Sequence, residues 1–186
     1  MPATRKRNSA LLAAGLCAFL LFLAGCGYTT RSAISGRYHA IYVSAFVNKV
    51  DITQEAHSAN KYRIYRPFLE SDITKAVIDK FSSDGNLRLV QEEGADLVLK
   101  GALTEFRRDP LRSDKDDNVL EYRLNLIVEL SLIDRQEGKV IWAEKGFVGD
   151  TTYFTSGNLA KTEDQAINDA LRDLARRIVE RTVENW

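Results

Sequence analysis

The chain has 186 residues, 45% of them hydrophobic and 28% charged, which suits one globular domain and excludes a disordered chain. Its 26 basic and 26 acidic residues cancel, but Arg5, Lys6 and Arg7 are the only charges before residue 26, so the chain without that leader carries −3. A slightly acidic body lacks the clustered positive surface of a general nucleic-acid binder, and no nucleic-acid partner is expected. Both cysteines, Cys17 and Cys26, lie near the N-terminus, so the body has no thiol for a disulfide or a Cys-based zinc site.

Residues 1–25 have the three parts of an export signal in order. Arg5-Lys6-Arg7 is a positive n-region, Ala10 to Leu23 an apolar core, and Ala24-Gly25 the small pair before Cys26. The apolar core is about 14 residues, short of the roughly 20 that a spanning helix needs. Leu23-Ala24-Gly25-Cys26 fits a bacterial lipobox: the thiol accepts a diacylglyceryl group, and the small residues let extended backbone enter a narrow peptidase site. An uncleaved signal anchor is the alternative. Cleavage leaves Cys26 as the lipidated first residue, carrying diacylglycerol and an N-acyl chain, since one acyl chain alone binds a membrane only marginally. No other cofactor is expected. Cys17 reads as apolar filler that leaves with the signal. Gly27 stands where an inner-membrane retention aspartate could have stood, so the expected location is the periplasmic face of the outer membrane.

Residues 26–36 read as a polar tether, reaching at most about 35 Å when extended, and residues 37–186 as the domain. In chain order, Ile41 to Val47 predicts a strand with Ile41, Val43, Ala45 and Val47 on one face. Pro67 opens a helix whose stripe is Leu69, Ile73, Val77 and Phe81, ended by Asp84-Gly85-Asn86. A short strand, Leu87 to Val90, and a Glu-Glu-Gly turn lead to a strand from Ala95 to Phe106, with a bulge expected at Gly101. Leu120 to Leu132 alternates most cleanly and predicts a central antiparallel strand with one wet face. Glu137-Gly138 turns it into a partner strand, Val140 to Phe147, and Gly149 to Asn158 reads as a loop. Thr162 with Gln165 predicts a capping box for a final helix buried through Ile167, Ala170, Leu171, Leu174, Ile178 and Val179. The expected fold is α+β: a single two-layer domain, a mixed or antiparallel sheet of four to five strands with two helices packed on one face.

No catalytic constellation emerges. His39 and His57 have no companion at metal-ligand spacing, and there is no P-loop, nucleophile elbow or dinucleotide fingerprint. Glu92-Glu93 and Asp116-Asp117 read as solvated turn carboxylates. The expectation is a protein that is not an enzyme and holds no metal. Two clusters remain as contact candidates. Arg107, Arg108 and Arg112 fall between the two long strands and could face anionic lipid, although four nearby acids make the stretch neutral and favour a solvated turn. Tyr153 and Phe154 either tuck over the sheet edge or meet a partner protein. On the last helix, Asp173 with Arg177 and Arg176 with Glu180 are four apart and predict a paired solvent face.

The chain resembles the LptE family of lipopolysaccharide-assembly lipoproteins. The likeness is carried by Cys26-Gly27-Tyr28, Ile41-Tyr42-Val43, Tyr65-Arg66-Pro67-Phe68-Leu69-Glu70, Ala95-Asp96-Leu97-Val98-Leu99-Lys100-Gly101, Gly149-Asp150-Thr151-Thr152-Tyr153-Phe154 and the helix Glu163 to Val183. The Cys-Gly-Tyr start and the Ala-Asp-Leu-Val-Leu-Lys-Gly strand also suit lipoproteins of curli secretion and penicillin-binding-protein activation. The family resemblance implies a non-enzymatic subunit that plugs the outer-membrane β-barrel LptD and contacts lipopolysaccharide. The alternative is a lipoprotein subunit of another envelope complex, either a secretion pore or an activator of a periplasmic enzyme.

Overall fold

The computed structural model describes residues 36–50 and 66–184. Cys17, Cys26, His57, Tyr65 and all of the tether before Gly36 lie outside the described residues. The described part holds six strands, β1 (Ala40–Val43), β2 (Val47–Asn48), β3 (Arg88–Leu89), β4 (Leu97–Ser113), β5 (Val119–Asp134) and β6 (Lys139–Phe154). Helix α1 (Leu69–Asp84) lies between β2 and β3, and helix α2 (Glu163–Val183) ends the chain. The sheet order is β3-β1-β4-β5-β6, with β2 also on β4. Pairing is parallel among β1, β3 and β4 and between β2 and β4, and antiparallel along β4-β5-β6. The α+β two-layer domain with a mixed sheet is as expected, with one or two strands more.

The extra strand arises where the first one breaks. Beyond Val43 the alternation flips: Ala45 is exposed, Phe46 is buried and Val47 is 52% exposed. Gly101 supplies the reason, since a Cβ there would stand 2.1 Å from the Phe46 ring. The ring occupies the space that a side chain at 101 would need, and the Phe46 amide donates to Thr74 Oγ1 on α1 at 2.9 Å. The expected bulge is therefore not at Gly101. It lies between Leu103 and Glu105 on β4, where the register against β5 slips by one. Residues 97, 99, 101 and 103 face the helices before the bulge, and 106 and 108 after it, which is why the sequence alternates imperfectly there.

Two further expectations fail, both at strand ends. Residues 107–113 are not a solvated turn: β4 continues to Ser113, paired with β5, and the turn is confined to Asp114–Asn118. Pro110 is tolerated because this half of β4 pairs only with β5 and its other edge carries no strand among the described residues. Likewise Gly149 to Phe154 is strand, with Gly149 opposite Leu126 and Phe154 opposite Glu121. The loop shrinks to residues 155–162. β5 is what holds both stretches in line, because its 16 residues span about 50 Å and offer a partner to each.

The core lies between one sheet face and the two helices. Leu99, Leu124, Leu126, Val128 and Leu132 from the sheet meet Leu69, Ile73, Val77 and Phe81 of α1 and Ile167, Leu174 and Ile178 of α2. Helix α1 stops at Gly85, whose positive φ of 76° lets its amide return to the Phe81 carbonyl. Helix α2 starts with the expected capping box: the Gln165 amide donates to Thr162 Oγ1 at 3.2 Å, and the Thr162 amide donates to Gln165 Oε1 at 2.9 Å. Among the described residues, the opposite sheet face carries no helix.

Candidate functional site

Strand parity sorts the five candidate contact residues onto two faces. Arg108 lies opposite buried Leu124 and Tyr153 opposite Tyr122, so both belong to the helix-covered face. Arg107 lies opposite Asn125, while Arg112 and Phe154 flank Glu121, which puts these three on the open face. The sequence groups them as a turn and a loop. The structure makes two separate clusters of them.

The first cluster joins three strands to the start of α2. Tyr153 is 5% exposed and its ring stacks on Tyr122 at 5.8 Å between centroids. The Arg108 guanidinium sits 5.0 Å over the Tyr122 ring and forms an ion pair with Glu163 in the first turn of α2. Burial pushes the Tyr153 hydroxyl pKa up and the Glu163 charge adds to it, against the opposing pull of Arg108. Tyr153 therefore packs into the helix-covered face. Arg66, just before α1, reaches Asp164 at 2.6 Å, so the N-terminal ends of both helices are tied together here.

The second cluster is a polar network on the open face. Arg107 donates to Asp109 at 2.8 Å and lies 3.7 Å from Glu105, and Asn125 donates to the other Asp109 oxygen at 2.8 Å. Arg112 sits 6.0 Å over the half-buried Phe154 ring and 3.8 Å from Glu121. Each of the three candidate arginines thus stands beside a carboxylate. Free phosphate-binding forks they are not.

Toward the β5–β6 turn the open face changes character. Tyr42, Val98, Ile133 and Val140 are successive cross-strand partners and form an apolar row. Next to it lies a groove of about 330 Å³, lined by Ala102 and Ala143 with Val47 at its edge and by the charged Lys49, Lys100, Lys145, Glu129 and Glu144, of which Glu129 is held by Lys49 and Glu144 by Arg181. A larger groove of about 790 Å³ runs between α1 and α2, lined by both signs of charge, among them Lys75, Asp79, Arg172 and Arg176. On α2 the expected pairs are present, Arg177 to Asp173 at 2.7 Å and Arg176 to Glu180 at 2.7 Å. Burial acts to raise the Asp173 pKa, but the Asp150 amide at 3.1 Å and both arginines outweigh it and hold it low.

His39 is exposed, and among the described residues no group of three or more His, Cys, Asp or Glu is placed to hold a metal ion. No helix of the described residues is long and apolar enough to cross a membrane. Sequence reasoning missed one buried carboxylate. Asp134, 3% exposed, accepts from Tyr38 Oη at 2.8 Å and from the Gln136 and Glu137 amides at 2.9 and 3.0 Å. It fastens the segment just before β1 to the β5–β6 turn. Its signal is an Asp at the end of the alternating strand, three residues before the turn pair Glu137-Gly138.

Two helices packed on one face of a mixed sheet of six strands define a two-layer α+β domain. The LptE model, described as lipopolysaccharide-assembly, matches residues 38–182, and the chain belongs to that family. No curated protein matches the sequence. Among solved structures, protein XCC0632 from Xanthomonas campestris is similar at TM-score 0.51 and 13% identity, covering 78% of this chain and 84% of that one. The hypothetical protein CT253 from Chlamydia trachomatis reaches TM-score 0.50 at 13% identity, covering 78% and 95%. Rare lipoprotein B from Shewanella oneidensis gives TM-score 0.46 at 17% identity, covering 77% and 95%. The first two share the fold of this domain.

Proposed function

We propose that this chain is an outer-membrane lipoprotein, lipidated at Cys26 and facing the periplasm, that plugs an LptD-like β-barrel and assists lipopolysaccharide assembly at the cell surface. The observation that carries the proposal is the family match across residues 38–182, which spans almost the whole domain after the lipobox. The anchor follows from Leu23-Ala24-Gly25-Cys26: two or three acyl chains on one cysteine give lasting attachment where a single chain does not. The open sheet face supports a plugging role, since a barrel wall needs a broad complementary surface more than a deep pocket. Barrel contact is favoured over direct lipopolysaccharide contact through Arg107, Arg108 and Arg112, because each already stands beside a carboxylate.

The test is detergent extraction of the tagged full-length protein from outer membranes and identification of what stays bound. A large β-barrel recovered at near-equal amount is expected. Recovery instead of a secretion pore or a periplasmic enzyme overturns the proposal. Mass spectrometry of the mature N-terminus checks the anchor, with a fatty-acylated Cys26 expected and an intact leader with a free thiol overturning it.

A further inference from the structure

The open sheet face is divided along its length. The half toward the β4–β5 turn is satisfied within itself: Arg107, Asp109, Asn125 and Glu105 bond one another, and Arg112 pairs with Glu121. The half toward the β5–β6 turn is not. Its apolar row ends in Val140, 50% exposed, and the adjoining groove is edged by Val47, 52% exposed. Val98 and Ala102 within it are buried, but the exposed Val47 and Val140, uncovered by either helix and rimmed by charge, mark a contact surface.

The rim says what it contacts. Lys49 shares Glu129 at 3.1 Å, but among the described residues Lys100 and Lys145 have no carboxylate within ion-pair distance. They stand on opposite sides of the groove, on β4 and β6, in a domain that without its leader is net negative. Local unpaired positive charge against the overall sign, around an aliphatic floor, complements a surface of aliphatic residues interspersed with Asp or Glu. Lipid is a poorer fit, because the floor is made of Ala102 and Ala143 lying flat in the sheet, with few of the large protruding side chains that enter an acyl layer.

We infer that the groove edged by Val47, Lys100 and Lys145 is where this domain docks on its partner, against a strand surface of that protein carrying carboxylates among aliphatic side chains. This rests on the reading of a β-barrel partner and assigns the face that meets it. Charge attraction at the rim sets register, and burial of the aliphatic floor supplies the cohesion.

Photo-crosslinking in membranes of cells making the full-length protein tests it. Benzoylphenylalanine replaces Val47 or Ala143 in the groove, Thr152 on the far half of the open face, or Lys80 in the groove between the helices. Adducts from positions 47 and 143 to the copurifying barrel, mapping to peptides that contain Asp or Glu, are expected. K100E combined with K145E should lower those adducts roughly tenfold or more with an unchanged thermal melt, and K100R with K145R should keep them. Adducts to the barrel only from 152 or 80, adducts from 47 and 143 to lipid, or indifference to charge reversal each overturn the docking face while leaving the barrel partner standing. Absence of any copurifying barrel overturns both.

Discussion

Leu174 of α2 rests directly on Gly149 of β6: a Cβ on the glycine would stand 2.3 Å from the leucine Cβ and 2.6 Å from its Cα. Because the obstruction includes helix backbone, the whole of α2 must move to admit a methyl group. Gly149→Ala is therefore expected to destabilise the domain by about 2–3 kcal/mol, the upper part of the range for core overpacking. The nearest atoms to a Cβ at Gly101 all belong to the Phe46 ring, a side chain and not helix backbone, so Gly101→Ala should cost less. Urea melts of the two variants beside the parent give the order, and a harmless Gly149→Ala would refute the close approach.

Phe68 has a positive φ of 63° at the N-terminal end of α1, makes no side-chain cap, and is 74% exposed. A bulky residue in the left-handed region is strained by about 1–2 kcal/mol, and glycine is not. Phe68→Gly loses little burial, so it is expected to raise stability by about 1 kcal/mol less the extra freedom glycine has when unfolded. A thermal melt shifted downward would mean that the ring has a packing partner.

Thr162 closes the first turn of α2 through its reciprocal bonds with Gln165. Thr162→Ala removes the acceptor for the Gln165 amide and should cost about 1 kcal/mol. Hydrogen exchange checks it: faster exchange is expected at the first turn of α2, with α1 unaffected.

The helices were readable from spacing alone, because burial of one helix face leaves a mark every three or four residues, as at Leu69, Ile73, Val77 and Phe81. β5 was readable for the same reason at period two. What the sequence conceals is the reach of its neighbours. Residues 107–113 and 149–154 hold Pro, Gly, Thr and charge, the composition of turns, and only pairing with β5 draws them into strand. That dependence split the candidate site. Arg107 and Arg108 are neighbours in sequence, and pairing with Asn125 and Leu124 sends them to opposite faces. The break after Val43 was hidden as well, since Phe46 enters the core only because Gly101 leaves room for its ring.

Arg108 fastens α2 to the sheet through Glu163 while stacking on Tyr122. With its side chain about a third exposed, the pair and the stacking together are worth about 1 kcal/mol. Arg108→Ala should lower stability by that amount, and the loss should shrink in the Glu163→Ala background. A double-mutant cycle measures the coupling, and additive losses would show that the two side chains act independently.

Asp134 makes the attachment of the segment before β1 sensitive to acid. Its pKa is held below the ordinary 3.8, first by the Glu137 amide and then by the Tyr38 hydroxyl, with burial opposing. A carboxylate depressed in the folded state contributes stability that is complete above the unfolded value and lost as pH falls through the folded one. The contribution is therefore whole at neutral pH and drains away below about pH 3.8. Asp134→Asn keeps the shape but has no charge to lose. At pH 7 it should melt below the parent, and the gap should narrow as the pH drops into the acid range. Asp114, Asp169 and Asp173 are also depressed and remain in the variant, so its stability still declines in acid, only less steeply. Parallel acid slopes for the two proteins would show that Asp134 holds Tyr38 by shape alone.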